Sequence, residues 1–267
     1  MYNLITISNT EYYPFVESLI GSLFKNSNIN NLNKLYIVDA GTIPLSTFIE
    51  PRNKIEIIQA NSCTFEGVHS NGWLNTTRLK TKYVLECLKN INNDIPLIMI
   101  DADTYILKDF YTVINPSYDI QFTTMVAGEQ LNAAGIPIKE IASFVVFNNI
   151  LKSISFLELW IDKIRHLEAT NIRPPFETPA LNIVIRENKL GLNFGYLKES
   201  IVCSDLIIYP ESLVLHLKSV GSSNDNPILN FYKRLKYVQY RNSNLTPRLI
   251  LDQINKDKLK QWEKLYE

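Results

Sequence analysis

The 267-residue chain is poor in the residues that build covalent or metal-based scaffolds, with only three cysteines and three histidines. Cys63, Cys87 and Cys203 are widely spaced, odd in number and form no Cys-x-x-Cys pattern. That excludes a disulfide framework and argues against a zinc site or a catalytic thiol; a reduced, cytoplasmic compartment is the expectation. No apolar stretch approaches the roughly 18 residues that a membrane span needs. The start, Met1-Tyr2-Asn3-Leu4-Ile5-Thr6, has no basic segment and only a short apolar run, so it reads as a first strand and not as a secretion signal. Neither sign of charge prevails, with 27 Lys+Arg against 27 Asp+Glu. No global field therefore points to nucleic acid, which is not an expected partner, and any phosphate-bearing ligand must be neutralised locally. Internal repeats and low-complexity linkers are also missing.

What is present is an ordinary globular composition, 46% hydrophobic and 20% charged, on a chain long enough to bury a sizeable core. Strand-like and helix-like segments alternate, which predicts an α/β fold with a mostly parallel central sheet flanked by helices. Strands are expected at 4–8, 34–39, 54–58, 96–100, 120–126, 143–147 and 213–218. A polar, Gly-containing loop separates the fifth and sixth. Helices are expected from Thr10, as the cap, to about Phe24, over 73–90 and over 154–167. A further helix is expected over 178–187, with Thr178 as cap and Pro179 at its first position. Residues 1–225 read as one domain and 226–267 as a helical extension packed on it.

The most informative stretch is Leu97-Ile98-Met99-Ile100-Asp101-Ala102-Asp103-Thr104, an apolar run ending in two carboxylates one residue apart. Alternate residues leaving a strand point the same way, so Asp101 and Asp103 can converge on one cation. The carboxyl edge of an open α/β sheet is where ligands bind. Hard oxygen ligands suit Mg²⁺ or Mn²⁺ and, through the metal, the phosphates of a nucleotide. Two strand-end aspartates can equally cap a turn. A haloacid-dehalogenase-like phosphohydrolase also uses such a pair, but Tyr105 occupies the fifth position of its signature and no later Asp-Asp pair exists.

Ile100-Asp101-Ala102-Asp103-Thr104-Tyr105-Ile106-Leu107 resembles the D-x-D segment of GT-A nucleotide-sugar glycosyltransferases, particularly the family 8-like group. Thr6-Ile7-Ser8-Asn9-Thr10-Glu11-Tyr12 is similar to that family's first strand and helix, and Thr77-Arg78-Leu79 to its arginine-bearing helix. Ala142-Ser143-Phe144-Val145-Val146-Phe147-Asn148 is similar to its acceptor-side strand, with Ser143 where glycine is usual and Ile141 where asparagine is usual. Glu177-Thr178-Pro179-Ala180-Leu181-Asn182 resembles a D-Q-x-x-L-N helix start. His216-Leu217-Lys218-Ser219-Val220-Gly221 resembles a late H-x-x-G-x-x-K segment. The resemblance implies a GT-A fold and a metal-dependent transferase that takes a UDP-sugar donor, retains configuration and uses Mn²⁺ or Mg²⁺. Asp101, Asp103 and His216 would hold the metal. Thr6, Ser8, Asn9, Asp39, Arg78, Asp101, Ala102 and Lys218 would contact the nucleotide sugar. Glu177 and Asp103 would be catalytic, Glu177 as a possible base on a glycan, lipid-linked or protein acceptor. An inverting transferase and a non-catalytic nucleotide-sugar-binding domain are the alternatives. A nucleotidyltransferase is disfavoured because its Gly-rich amino-terminal loop is missing: the first glycine, Gly21, falls inside a helix.

Each of these residues has a plainer reading. Glu177 favours a helix N-terminus in any case. Asp39 can cap a turn beside Gly41, and His216 can be a packed strand residue. On the 73–90 helix, Arg78 shares the face of Leu74, Thr81 and Leu85, whereas Lys80 points away from it and Lys82 lies at its edge. The two lysines read as a solvated face. Phe231-Tyr232-Lys233-Arg234-Leu235-Lys236-Tyr237-Val238 mixes aromatic and basic residues and could touch the inner face of an anionic membrane.

Overall fold

The computed structural model describes residues 1–47, 49, 52–61, 71–91, 95–125, 128–132, 134–170, 176–203 and 207–217; for Glu11 and 71–77 it describes the backbone alone. Lys218, Cys63, the 226–267 extension and the basic-aromatic run lie outside the described residues.

Seven strands form the central sheet: β1 (Tyr2–Ser8), β2 (Leu32–Asp39), β3 (Ile55–Gln59), β4 (Leu97–Ile100), β6 (Ile120–Thr124), β9 (Glu140–Phe147) and β10 (Phe194–Lys198). Their spatial order is β10-β6-β9-β4-β1-β2-β3. All run parallel except β9, which is antiparallel to both β4 and β6. The protein is thus α/β with a mostly parallel sheet, as the alternation of segments predicts.

Period-2 alternation divides the core between the two faces of this sheet. Leu97, Met99, Val145 and Phe147 join Ile5 and Ile7 in one cluster. That cluster is covered by α2 (Asn71–Asn90), α3 (Ile150–Ala169) and α4 (Glu177–Glu187). Leu4, Ile98, Ile100, Phe144 and Val146 point the other way, against α1 (Tyr13–Asn26). Both faces are covered, which is why β4 is apolar at every position.

A second, three-stranded sheet of β11 (Val202–Cys203), β12 (Val214–His216) and β5 (Thr104–Ile106) lies beside the first. It docks on α1: Ser22 Oγ accepts from Ile106 N at 3.0 Å, and Asn26 Nδ2 donates to Ile106 O at 2.7 Å. The expected strand over 213–218 is its β12, short and outside the main sheet.

Three local expectations are corrected. Thr10 does not cap α1; it starts a 3₁₀ turn, and its hydroxyl accepts from Thr42 N and Ile43 N. The cap position of α1 is Tyr12 and Pro14 enters its first turn. Thr178 does not cap α4 either, because the helix begins at Glu177, which leaves Thr178 and Pro179 inside the first turn. The expected loop after β6 carries a small hairpin of β7 (Gln130–Leu131) and β8 (Pro137–Ile138).

Candidate metal centre

The site lies where the sheet order changes direction. From β1 the chain crosses to β2 and β3 on one side, then returns through α2 to β4 on the other. The carboxyl ends of β1 and β4 are therefore adjacent and diverge in their connections, which defines a topological switch point, the place where open α/β sheets bind ligands. Asp101 follows β4 directly, and its N–H donates to Ser143 O of β9 at 3.1 Å, one step beyond the ladder. The chain then turns through Ala102 and Asp103 into β5.

His216 arrives from a segment more than a hundred residues later because β12 pairs antiparallel with β5, with His216 opposite Thr104. Leu217 N donates to Asp103 O at 2.8 Å and fixes that register. His216 Nε2 then stands 3.4 Å from Asp101 Oδ2 and 3.3 Å from Asp103 Oδ1. One ligand atom from each residue lies within 4.8 Å of the others, and among the described residues this is the one such group. Two carboxylates and one imidazole form a donor set for a divalent cation that accepts oxygen and nitrogen ligands. The residues present fit the metal that the D-x-D pattern implies.

A fourth charged residue joins them, and it corrects the expectation of a solvated face. Lys80 of α2 is only 7% exposed. Its Nζ lies 2.7 Å from Asp101 Oδ1, 2.7 Å from Glu177 Oε1 and 3.3 Å from Ala142 O. Arg78 instead stands nearly half exposed and pairs with Glu168 of α3. Lys82 is exposed and pairs with Glu86 one turn on, as a solvated lysine should. The buried arc of α2 is Lys80, Thr81, Val84, Cys87 and Leu88, at i, i+1, i+4, i+7 and i+8. Anchoring the stripe on Leu74 and Leu85 rotates the helix, since Leu85 is only partly buried. The signal was present in the spacing of Lys80, Val84, Cys87 and Leu88, had a lysine been allowed in a core stripe.

Electrostatics follow from this geometry. Burial disfavours charge on Lys80, but Asp101 and Glu177 outweigh it, so its pKa is raised and it stays an ammonium. Burial lifts the Asp101 carboxyl, but Lys80 and then His216 pull it below the ordinary value. One ammonium does not balance the two carboxylates that share it. For Glu177 burial dominates, Lys80 opposes it and the Asp101 charge adds to it, which leaves its pKa raised to about 7.

The remaining candidates divide by role. Thr6, Ser8 and Asn9 lie buried at the carboxyl end of β1, and Ala102 is buried between the two aspartates. Thr6 Oγ1 and both amide atoms of Asn9 meet no hydrogen-bonding partner among the described residues. Asp39, by contrast, is fully engaged. Oδ1 accepts from Tyr13 Oη at 2.8 Å and Gly41 N at 3.0 Å, and Oδ2 from Leu45 N at 2.6 Å and Gln59 Nε2 at 3.4 Å. It holds the loop after β2 in shape. Gly41 completes that packing, because a Cβ there would stand 1.8 Å from the Tyr13 hydroxyl.

Comparison with protein-family models and with curated proteins gives no match. Among the described residues no helix is long and apolar enough to cross a membrane.

Proposed function

We propose that this protein is a metal-dependent glycosyltransferase that moves a sugar from a nucleoside-diphosphate donor, a UDP-sugar, to a hydroxyl acceptor. The observation that carries the reading is the convergence of Asp101, Asp103 and His216 above the switch point between β1 and β4. The D-x-D resemblance supplies the donor class. When bound, Mn²⁺ or Mg²⁺ would act as a Lewis acid that neutralises the departing diphosphate. Asp101, Asp103 and His216 would hold it, and Thr6, Ser8 and Asn9 would receive the nucleoside at the end of β1. Glu177 is tied to Lys80 at 2.7 Å, which makes it a poor general base for an acceptor hydroxyl. That supports retention of configuration, in which the departing phosphate takes the proton.

Calorimetric titration of UDP with and without Mn²⁺ tests the reading, with Asp103→Asn as the control. The expected outcome is Mn²⁺-dependent UDP binding that Asp103→Asn abolishes while the apo melting temperature stays within about 2 °C of wild type. Equal UDP binding in both proteins would sink the metal assignment. Release of UDP from a UDP-sugar, by transfer or slow hydrolysis, separates the enzyme from a binding domain that never turns over.

A further inference from the structure

Three carboxylates converge at this centre, and among the described residues Lys80 is the one permanent cation shown in contact with them. Asp101 divides its two oxygens: Oδ1 faces Lys80 at 2.7 Å, and Oδ2 faces His216 at 3.4 Å. Glu177 Oε1, at the first residue of α4, meets the same ammonium at 2.7 Å. Lys80 thus joins α2, the strand-end aspartate and α4, and its contact with Ala142 O adds β9. A lysine as buried as this one has no solvation to fall back on, so its place is set by the charges around it.

We infer that Lys80 is the resident counter-ion of this centre: it neutralises one of the three carboxylates and turns Asp101 so that Oδ2 alone faces the metal position. The inference rests on the metal-binding reading of Asp101, Asp103 and His216. With a neutral imidazole, three carboxylates and one ammonium leave a formal charge of minus two, which one divalent cation cancels. Without Lys80 the centre would hold a bare cation more tightly and the diphosphate less well, because surplus negative charge would remain. Lys80 is therefore a positioning residue that keeps surplus negative charge from opposing the nucleotide.

The test is a charge cycle of Lys80→Met, Glu177→Gln and the double variant. Bare Mn²⁺ titrations and apo melting temperatures are read for all the proteins at one pH, above the value of about 7 to which Glu177 is pushed. Lys80→Met should bind Mn²⁺ about tenfold more tightly, Glu177→Gln about tenfold more weakly, and the double variant within about threefold of wild type. In the apo protein Lys80→Met should lower the melting temperature by about 10 °C, and adding Glu177→Gln should restore roughly half of that or more. A purely structural lysine would lower stability and metal affinity together, so weaker Mn²⁺ binding by Lys80→Met overturns the inference. Failure of Glu177→Gln to restore stability overturns it as well. If Lys80→Met does not fold, recovery of folding in the double variant supports the counter-ion role, and a double variant that also stays unfolded overturns it. Absence of Mn²⁺ binding by the wild type overturns the metal reading instead, and the melting temperatures then decide the counter-ion assignment alone.

Discussion

Glu177 shows how one side chain can carry both a functional reading and a cost. Its carboxyl is 11% exposed, shares Lys80 with Asp101 and is pushed up to about 7 from an ordinary 4.5. Between those two values the folded chain keeps the proton that the unfolded chain has released. The folded state then binds more protons, so stability falls as pH rises from about 4.5 to about 7. The slope from one group is at most about 1.4 kcal/mol per pH unit. Asp101 acts with the opposite sign and in another window. Its lowered pKa contributes stability above the ordinary 3.8 that is lost only as pH falls below it. Glu177→Gln is expected to remove the decline between about 4.5 and about 7 and leave the acid limb intact. Urea midpoints across that range in both proteins measure it, and parallel curves would place the titrating group elsewhere.

At the scale of elements, the site depends on how firmly α4 is held against β9. Asn182, fully buried, does this by imitating a strand. Its Oδ1 accepts from Lys139 N at 2.7 Å and Glu140 N at 3.0 Å, and its Nδ2 donates to Glu140 O at 2.8 Å and Thr178 O at 2.9 Å. Asn182→Ala removes the side-chain partner of two N–H groups and two carbonyls, those of Glu140 being buried, and is expected to cost about 2–4 kcal/mol in chemical unfolding. A loss under about 0.5 kcal/mol would mean that solvent replaces these bonds. The elements themselves are legible: among the described residues, apolar runs and helical periodicity point to all four α-helices and to all but one of the central strands. That strand, β10, reads Phe-Gly-Tyr-Leu-Lys and lies at the edge, with Tyr196 half exposed, so its pattern is weak. β5 and β11 span three and two residues, too few for any period to show, whereas β12 falls within the expected 213–218 strand. Lys80 was missed for a different reason. Its burial depends on Asp101 and Glu177, 21 and 97 positions away in sequence, and no local rule allows a lysine in a core stripe until its counter-charges are in place.

For the whole molecule, the sheet order brings two unlike features to one edge of the central sheet. From β4 come the carboxylates, which a cation and phosphates would satisfy; from β1 comes Asn9, 1% exposed, with neither amide atom bonded among the described residues. A buried amide without partners costs roughly 1–3 kcal/mol, a burden explained if a ligand supplies both its donor and its acceptor, as a nucleoside base could. Replacing Asn9 with leucine, of similar volume and without polar atoms, separates the two effects. Asn9→Leu is expected to leave the apo melting temperature unchanged or raise it by about 2–5 °C. The same change should weaken UDP binding about tenfold or more, because the base would then face an apolar wall. Mn²⁺ affinity in the absence of nucleotide should not move, since Asn9 contributes no ligand to the centre at Asp101, Asp103 and His216. A lower apo melting temperature would show that Asn9 is bonded in solution and serves the fold. Unchanged UDP binding would move the nucleoside away from β1 and leave the metal centre to stand on its own.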